Sequence, residues 1–502
     1  MARGSGGGNV YDAVIIGSGF GGAMVAHRLA AAGARVLVLE RGDWVPRGPE
    51  AWLPGASLEL TPAYAKDIPY RCDRGGHGTT IGGYACVGGP SVYYGCVAFR
   101  FREADFVGDA GVVADSGAEW PYRYDELEPY YAAAERILGI AGDDAGDPTA
   151  PRRSGPFPFA PAALAPVSSR LVEHAVARGL SPFHLPLAID HERCVACRTC
   201  DTYACAIEAK NDVATRVWKP LAGRVELRTN TVVTRIEVEH GVATRVVWPD
   251  GSAAARHVIV AAGALGTAHL VLASKLDELN PARAAVGRYL MRHANAMIFG
   301  FYGDRPDPQQ RFHKQIAIHD WYFGTADHPG KLGGVQQMMT PPATLVRAHL
   351  PAPLRPAAML TEHLTGLLCI AEDQPRVANG CSVDWNVRDR YGLPQLVIDH
   401  EYSARDRGAV DALVTRGKAL LDATGAWLSY THRVKTFSHA VGTVRMGRDP
   451  ATAPLDEVGR FRGVANLWVT DGAALPMSAG VNPSLTIAAN ALRSADAIVE
   501  AA

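Results

Sequence analysis

The feature that most narrows what this chain can fold into is a short β-branched run, Tyr11–Ile16, feeding straight into Gly17-Ser18-Gly19-Phe20-Gly21-Gly22. An apolar run without alternation suits a strand buried on both faces of a parallel sheet. Ala23–Ala32 continues with helical composition, Arg35–Leu39 is a second apolar run, and Glu40 closes it. The glycines divide the work between them. Gly17 permits the tight turn, Gly19 lets backbone amides approach a pyrophosphate, and Gly22 lets the helix pack closely on the strand. The helix start supplies partial positive charge for that anion. A carboxylate at Glu40 can bond a ribose 2′-hydroxyl and disfavours a 2′-phosphate, which argues against NADP. Strand, glycines, helix, second strand and acid in register predict an α/β dinucleotide-binding fold. The fingerprint alone does not separate FAD from NAD.

At 502 residues the chain exceeds one ordinary core, and two packed domains are expected. Lysine and arginine total 50 against 51 acidic residues, a balance with no electrostatic footprint for nucleic acid or an anionic membrane. No apolar run is long enough to span a bilayer. The opening Met1-Ala2-Arg3-Gly4-Ser5-Gly6-Gly7-Gly8 lacks the apolar core of a secretory signal and reads as a frayed tail, so the cytoplasm is the expected address.

Three later segments add to the picture. Gly88-Gly89-Pro90-Ser91-Val92-Tyr93-Tyr94-Gly95 is a second glycine-rich turn, and Val258–Ala262 is an apolar run turning at Gly263 into a helix. Near the C-terminus, Asn466–Asp471 reads as a strand ending in an acid, and Asn482-Pro483 stands just ahead of an Ala-rich helix. With Trp120-Pro121 and Pro129-Tyr130-Tyr131, with Val286-Gly287-Arg288-Tyr289-Leu290-Met291-Arg292-His293, and with Ser438-His439-Ala440-Val441-Gly442-Thr443-Val444-Arg445-Met446-Gly447, the chain resembles the glucose–methanol–choline (GMC) oxidoreductases nearly end to end. It departs from that family's pattern at Tyr94, Ala440 and Arg292, none of which removes a catalytic group.

The resemblance implies FAD. No histidine lies near Gly95 where members that bind FAD covalently carry one, so non-covalent FAD is expected. The candidate cofactor-binding residues are Gly17, Gly19, Phe20, Gly22, Glu40, Arg41, Gly88, Ser91, Gly95, Val233, Ala262, Gly263, Asp471, Gly472, Asn482, Pro483 and Thr486. Oxidising a carbinol needs a base within hydrogen-bond reach of the hydroxyl and with a pKa near neutrality, a role suited to histidine. The resemblance places His439 there, with Asn482 at the family's second position. An amide there can orient the hydroxyl and stabilise a developing alkoxide but cannot be the base. His293 and His77, two more of the 17 histidines, read as structural, although His77 lies in a loop that could border the flavin.

Among the nine cysteines, Cys194, Cys197, Cys200 and Cys205 crowd into one loop. Three explanations stay open: iron–sulfur ligands, structural zinc, or disulfides or free thiols. The spacing departs from a ferredoxin run, which makes a cluster the less favoured reading, and no metal residue is assigned. A cytoplasmic disulfide is itself uncommon.

Residues 1–110, 215–295 and 436–502 are expected to form the FAD domain, and 111–214 with 296–435 a substrate domain on an antiparallel sheet. Alternation in Ser382–Val387 and Gln395–His400 suggests that sheet, whereas 301–365, rich in Pro, Gly and His, reads as loops or a lid. The expected activity is FAD-dependent oxidation of an alcohol, resembling the branch that acts on primary hydroxyls of aminosugars in aminoglycoside biosynthesis. Glu372-Asp373 are the candidate carboxylates for a cationic substrate. The alternative is the catalytic subunit of an electron-transfer sugar dehydrogenase complex with a cluster at Cys194–Cys205. A lyase or photoenzyme is a third reading, because fold does not fix function, and His439 with Asn482 argues against it. O2, a quinone or another carrier would reoxidise the flavin.

Overall fold

Tyr11–Ile16 lies at the centre of a five-stranded parallel sheet, between Ala255–Val260 and Val36–Leu39. Leu467–Val469 and Glu226–Arg228 are the outer strands. Val14, Ile15, Val38 and Ile259 are fully buried, as the uninterrupted apolar runs require. Burying one such side chain contributes about 1.5–3 kcal/mol. This computed structural model describes residues 10–501 apart from 59, 75–79 and 144. His77 and the N-terminal Met1–Gly8 lie outside the described residues.

The helix after the glycine turn spans Phe20–Ala31, three residues earlier than its composition suggested, because extended Gly19 caps it from within the turn. It packs against the C-terminal helix Ser484–Glu500, which in turn packs against Tyr124–Leu138. Tyr131 and Thr486 share a hydroxyl hydrogen bond of 2.6 Å across that second contact.

A six-stranded sheet of antiparallel pairs runs in the order Leu428–Arg433, Ala294–Phe301, Leu364–Ala371, Gly333–Met338, Ile316–Ile318, Phe183–His184. Helix Ala404–Ala423 covers one face of it. Two of its strands fall inside 301–365, which is therefore not only loop. Both are buried on each face, so the alternation that would have announced them is missing. Gly333, at φ +128°, lies where a Cβ would meet the Ile370 carbonyl oxygen at 2.0 Å.

The strands Gly380–Arg388 and Pro394–Asp399 do pair antiparallel with each other. They belong, however, to a separate four-stranded sheet completed by Tyr64–Arg74 and Thr80–Tyr84, rather than to the larger antiparallel one. Among the described residues, no helix is long and apolar enough to cross a membrane.

Candidate active site

At the carboxyl ends of the parallel strands lies a cavity of about 300 Å³, where ligands sit in open α/β sheets. Gly17, Gly19, Phe20, Glu40, Arg41, Val233, Ala262, Gly263, Asp471, Gly472, Pro483 and His439 all line it. The glycine turn is built as a cradle. Gly17 has φ +100°, and a Cβ there would strike the Ala261 carbonyl oxygen at 2.4 Å. A Cβ on Gly19 would have no protein atom nearer than Pro90 Cδ at 3.9 Å, so it would project into the space left for a ligand. No side chain caps the helix at Gly19, which leaves its first amides for an anion. Glu40 accepts hydrogen bonds from the Ser18 hydroxyl (2.6 Å), the Ser18 amide (3.1 Å) and the Gly42 amide (2.9 Å). Asp471 accepts from the Gly263 amide at 2.7 Å and from Thr267 at 2.5 Å, and burial raises its pKa. A glycine cradle, a free helix start and two held carboxylates fit a dinucleotide such as FAD.

Six predicted residues are not part of the cavity lining: Asn482, described below, and Gly22, Gly88, Ser91, Gly95 and Thr486. Gly22 presses on the turn, where a Cβ would meet the Gly17 carbonyl oxygen at 2.1 Å. Gly88, in the left-handed region, donates its amide to Ser18 Oγ at 3.0 Å. Ser91 braces that turn through the Gly88 carbonyl at 2.7 Å. Thr486 bonds Tyr131. Gly95 faces an ion pair between Lys314 and Asp201, 2.9 Å long, and a Cβ there would overlap both side chains. Tyr94 bonds the Asn211 carbonyl at 2.8 Å and sets its ring edge-on to Phe20.

His439 is brought to the cavity by a loop beyond the edge strand Leu428–Arg433, and Asn482 is brought to His439 by the turn ahead of the C-terminal helix. Asn482 Nδ2 lies 3.4 Å from His439 Nε2. The Gln336 amide, on strand Gly333–Met338, donates to Asn482 Oδ1 at 2.7 Å. On the other side of the ring, His439 Nδ1 is 2.9 Å from His293 Nδ1, and His293 Nε2 is 2.9 Å from the Ser478 carbonyl oxygen. Burial, reinforced by His293 and Lys314, holds the His439 pKa well below its ordinary value. His293 is also lowered by burial, with Asp373 opposing.

His293, read from the sequence as structural, is thus in direct contact with His439. With Gln336 and Ser478 it is a member of the site that the sequence did not disclose. The only signal for His293 was its place at the end of the Val286–His293 segment.

Glu372 and Asp373 do not serve as a pocket for a cationic substrate. Both are 1% exposed and already occupied. Glu372 pairs with Lys331 and accepts the Ala479 amide. Asp373 accepts the amides of Arg292 and His293, the Ser478 hydroxyl and His400 Nε2.

The cysteine loop holds free thiols. Among the described residues no group of three or more His, Cys, Asp or Glu side chains is placed to hold a metal. What ties the loop down is Lys210. It is 1% exposed, and its ammonium donates to the carbonyls of Tyr94 (3.1 Å), Cys200 (2.7 Å) and Tyr203 (2.6 Å).

The GMC oxidoreductase family model matches residues 378–491, and that of the NAD(P)-binding Rossmann-like domain matches 15–45. The 6'''-hydroxyparomomycin C oxidase of Streptomyces lividus is 31% identical over 522 residues, covering 97% of this chain and 91% of that protein. The paromamine 6'-oxidase of Streptomyces fradiae is 31% identical over 527 residues with the same coverage. The crystal structure of pyridoxine 4-oxidase from Mesorbium loti superposes with a TM-score of 0.65 at 20% identity, covering 97% of this chain and 99% of that one. Similarity running this far through the sequence makes the chain a member of the GMC oxidoreductases, and it is an FAD-dependent alcohol oxidoreductase.

Proposed function

We propose that the enzyme oxidises a primary hydroxyl of a sugar or aminosugar to the aldehyde, with His439 as the base and Asn482 as its polar partner. The observation that carries this reading is the approach of Asn482 Nδ2, at 3.4 Å, to Nε2 of His439, which lines the dinucleotide cavity. That spacing is long for a hydrogen bond. An alcohol oxygen lying to one side of the line joining the two nitrogens could reach both, giving its proton to Nε2 and accepting from the amide. When bound, FAD supplies the two-electron acceptor for the carbinol hydride.

Gly17, Gly19, Glu40 and the start of helix Phe20–Ala31 would hold the pyrophosphate and ribose, with Arg41, Ala262, Gly263 and Asp471 completing the walls. A neutral imidazole is what a general base must be before it acts, and its burial keeps His439 in that form. In this reading residues 1–110, 215–295 and 436–502 hold the cofactor, while 111–214 and 296–435 shape the substrate side. The aminosugar assignment is supported by the two Streptomyces relatives, named as oxidases of paromamine and 6'''-hydroxyparomomycin C.

The test is anaerobic flavin reduction, and turnover with an artificial acceptor, across aminosugars, neutral sugars and long-chain alcohols. Aminosugars are expected to reduce the flavin fastest. Equal rates across the panel would overturn the substrate choice, and no reduction by any alcohol would overturn the reaction.

A further inference from the structure

Five groups from four separate stretches of chain form one continuous hydrogen-bonded line. Gln336 Nε2 donates to Asn482 Oδ1 at 2.7 Å, Asn482 Nδ2 meets His439 Nε2 at 3.4 Å, His439 Nδ1 meets His293 Nδ1 at 2.9 Å, and His293 Nε2 meets the Ser478 carbonyl at 2.9 Å. Four of the five members can be reversed. Either amide can turn over, and either neutral imidazole can carry its proton on either nitrogen.

The Ser478 carbonyl cannot be reversed, because a carbonyl oxygen only accepts. His293 must therefore carry its proton on Nε2, which leaves Nδ1 as a lone pair. His439, facing that lone pair at 2.9 Å, must place its own proton on Nδ1. Its Nε2 is then a lone pair, and the Asn482 amide turns its NH2 toward it, leaving Oδ1 to accept from the Gln336 amide. The opposite direction would set the His293 Nε2 lone pair against the Ser478 oxygen in a fully buried place.

We propose that the Ser478 carbonyl, acting through His293, fixes His439 as its Nδ1–H tautomer and so keeps Nε2 free to accept the substrate proton. This rests on His439 being the base, and it makes His293 a positioning residue. A free histidine side chain in water favours the opposite, Nε2–H form, so the tautomer has to be imposed.

The surroundings hold the carbonyl and the ring in place. Asp373 accepts the His293 amide at 3.0 Å and the Ser478 hydroxyl at 3.2 Å, joining the two arms that meet in the last link. His293 itself sits in the left-handed region, at φ +63°. Its carbonyl accepts from Tyr402 at 2.6 Å. The charged and titratable groups around the pair are Asp373, Glu372, His400 and Lys314.

The direct test is ring-nitrogen NMR of the FAD-loaded enzyme with 15N-labelled histidine, its His439 signals identified by their loss in His439→Ala. An unprotonated Nε2 with a protonated Nδ1 on His439 is expected, and the reverse assignment in the wild-type enzyme overturns the proposal whatever any variant does. His293→Phe keeps a ring but removes both nitrogens. It should release the tautomer and slow flavin reduction by at least roughly tenfold, the direction seen when a catalytic histidine is left in the wrong tautomer. His293→Asn, which restores an acceptor near the Nδ1 position, should recover most of that loss.

Gln336→Glu places an acceptor at both ends of the line. It should trap a proton on the histidine pair and move the acid limb of the flavin-reduction profile to higher pH. An unchanged His439 tautomer and rate in His293→Phe, or an unmoved profile in Gln336→Glu, counts against the proposal. Normal flavin reduction by His439→Ala would instead remove the base assignment, and the NMR result separates that failure from this one.

Discussion

The carboxylate of Asp373 accepts the backbone amide of His293 at 3.0 Å, and with the same group it takes the Arg292 amide, the Ser478 hydroxyl and His400. A buried carboxylate with this many donors is held ionised: burial alone would raise its pKa, but the histidines and amides outweigh that and lower it. Its contribution to stability is therefore present above the pKa of an unfolded aspartate and is lost as pH falls through the lower folded value. Asp373→Asn should cost about 3–5 kcal/mol in denaturant unfolding at neutral pH. The difference from wild type should shrink in acid.

His439→Ala should slow anaerobic flavin reduction by roughly 10²–10⁴-fold. Asn482→Ala should leave a measurable rate, lower by about 10²-fold. Neither side chain supplies the glycine cradle, so flavin absorbance per protein should match wild type in both. Equal losses in the two variants would remove the distinction between base and orienting amide.

The pH profile has a defined sign. The His439 pKa is lowered well below 6.5 by burial, His293 and Lys314. The imidazole is therefore already neutral at pH 7, and if it is the proposed base the rate of flavin reduction should hold level as pH drops through 6.5, falling only in more acid solution. A half-maximal rate at or above pH 6.5 in stopped-flow reduction would contradict the burial of this ring.

Gly22→Ala tests the cradle without touching the cavity. Its Cβ would stand 2.1 Å from the Gly17 carbonyl oxygen, so the helix must move off the turn. Overpacking of this kind costs about 1–3 kcal/mol, and here it should also release FAD. The measurement is flavin retained after gel filtration, read beside the melting temperature.

Iron and zinc analysis of the purified enzyme should find neither metal in stoichiometric amount, and Cys194→Ser with Cys205→Ser should keep the flavin spectrum. Lys210→Met should be far more harmful than either serine. Its ammonium satisfies three carbonyls that would otherwise be left buried, each costing about 1–3 kcal/mol. Thermal unfolding of the three variants makes the comparison.

The parts of the site legible in the sequence are those written in consecutive residues. The run Tyr11–Gly22 with Glu40 needs only local spacing to announce a strand, a turn and a helix, and the resemblance around His439 and Asn482 adds the proposed base and its partner. His293 and Gln336 could not be read that way, since each meets its partner across more than a hundred residues of chain. Gln336 also lies in a strand buried on both faces, where no alternation survives. Glu372 and Asp373 misled for the opposite reason. Charge in sequence suggests a solvent-facing or ligand-facing group, yet Lys331 and a ring of amide, hydroxyl and histidine donors consume both carboxylates inside the protein.

The Ser478 carbonyl closes the line of hydrogen bonds at 2.9 Å from His293, and an amide oxygen is far too weak a base to carry a proton onward. A proton landing on His439 can be shared with His293 but has no onward conductor on that side. The line is a cul-de-sac, able to store one proton and not to drain it. In the proposed reaction the stored proton would therefore return by way of the cavity that His439 lines.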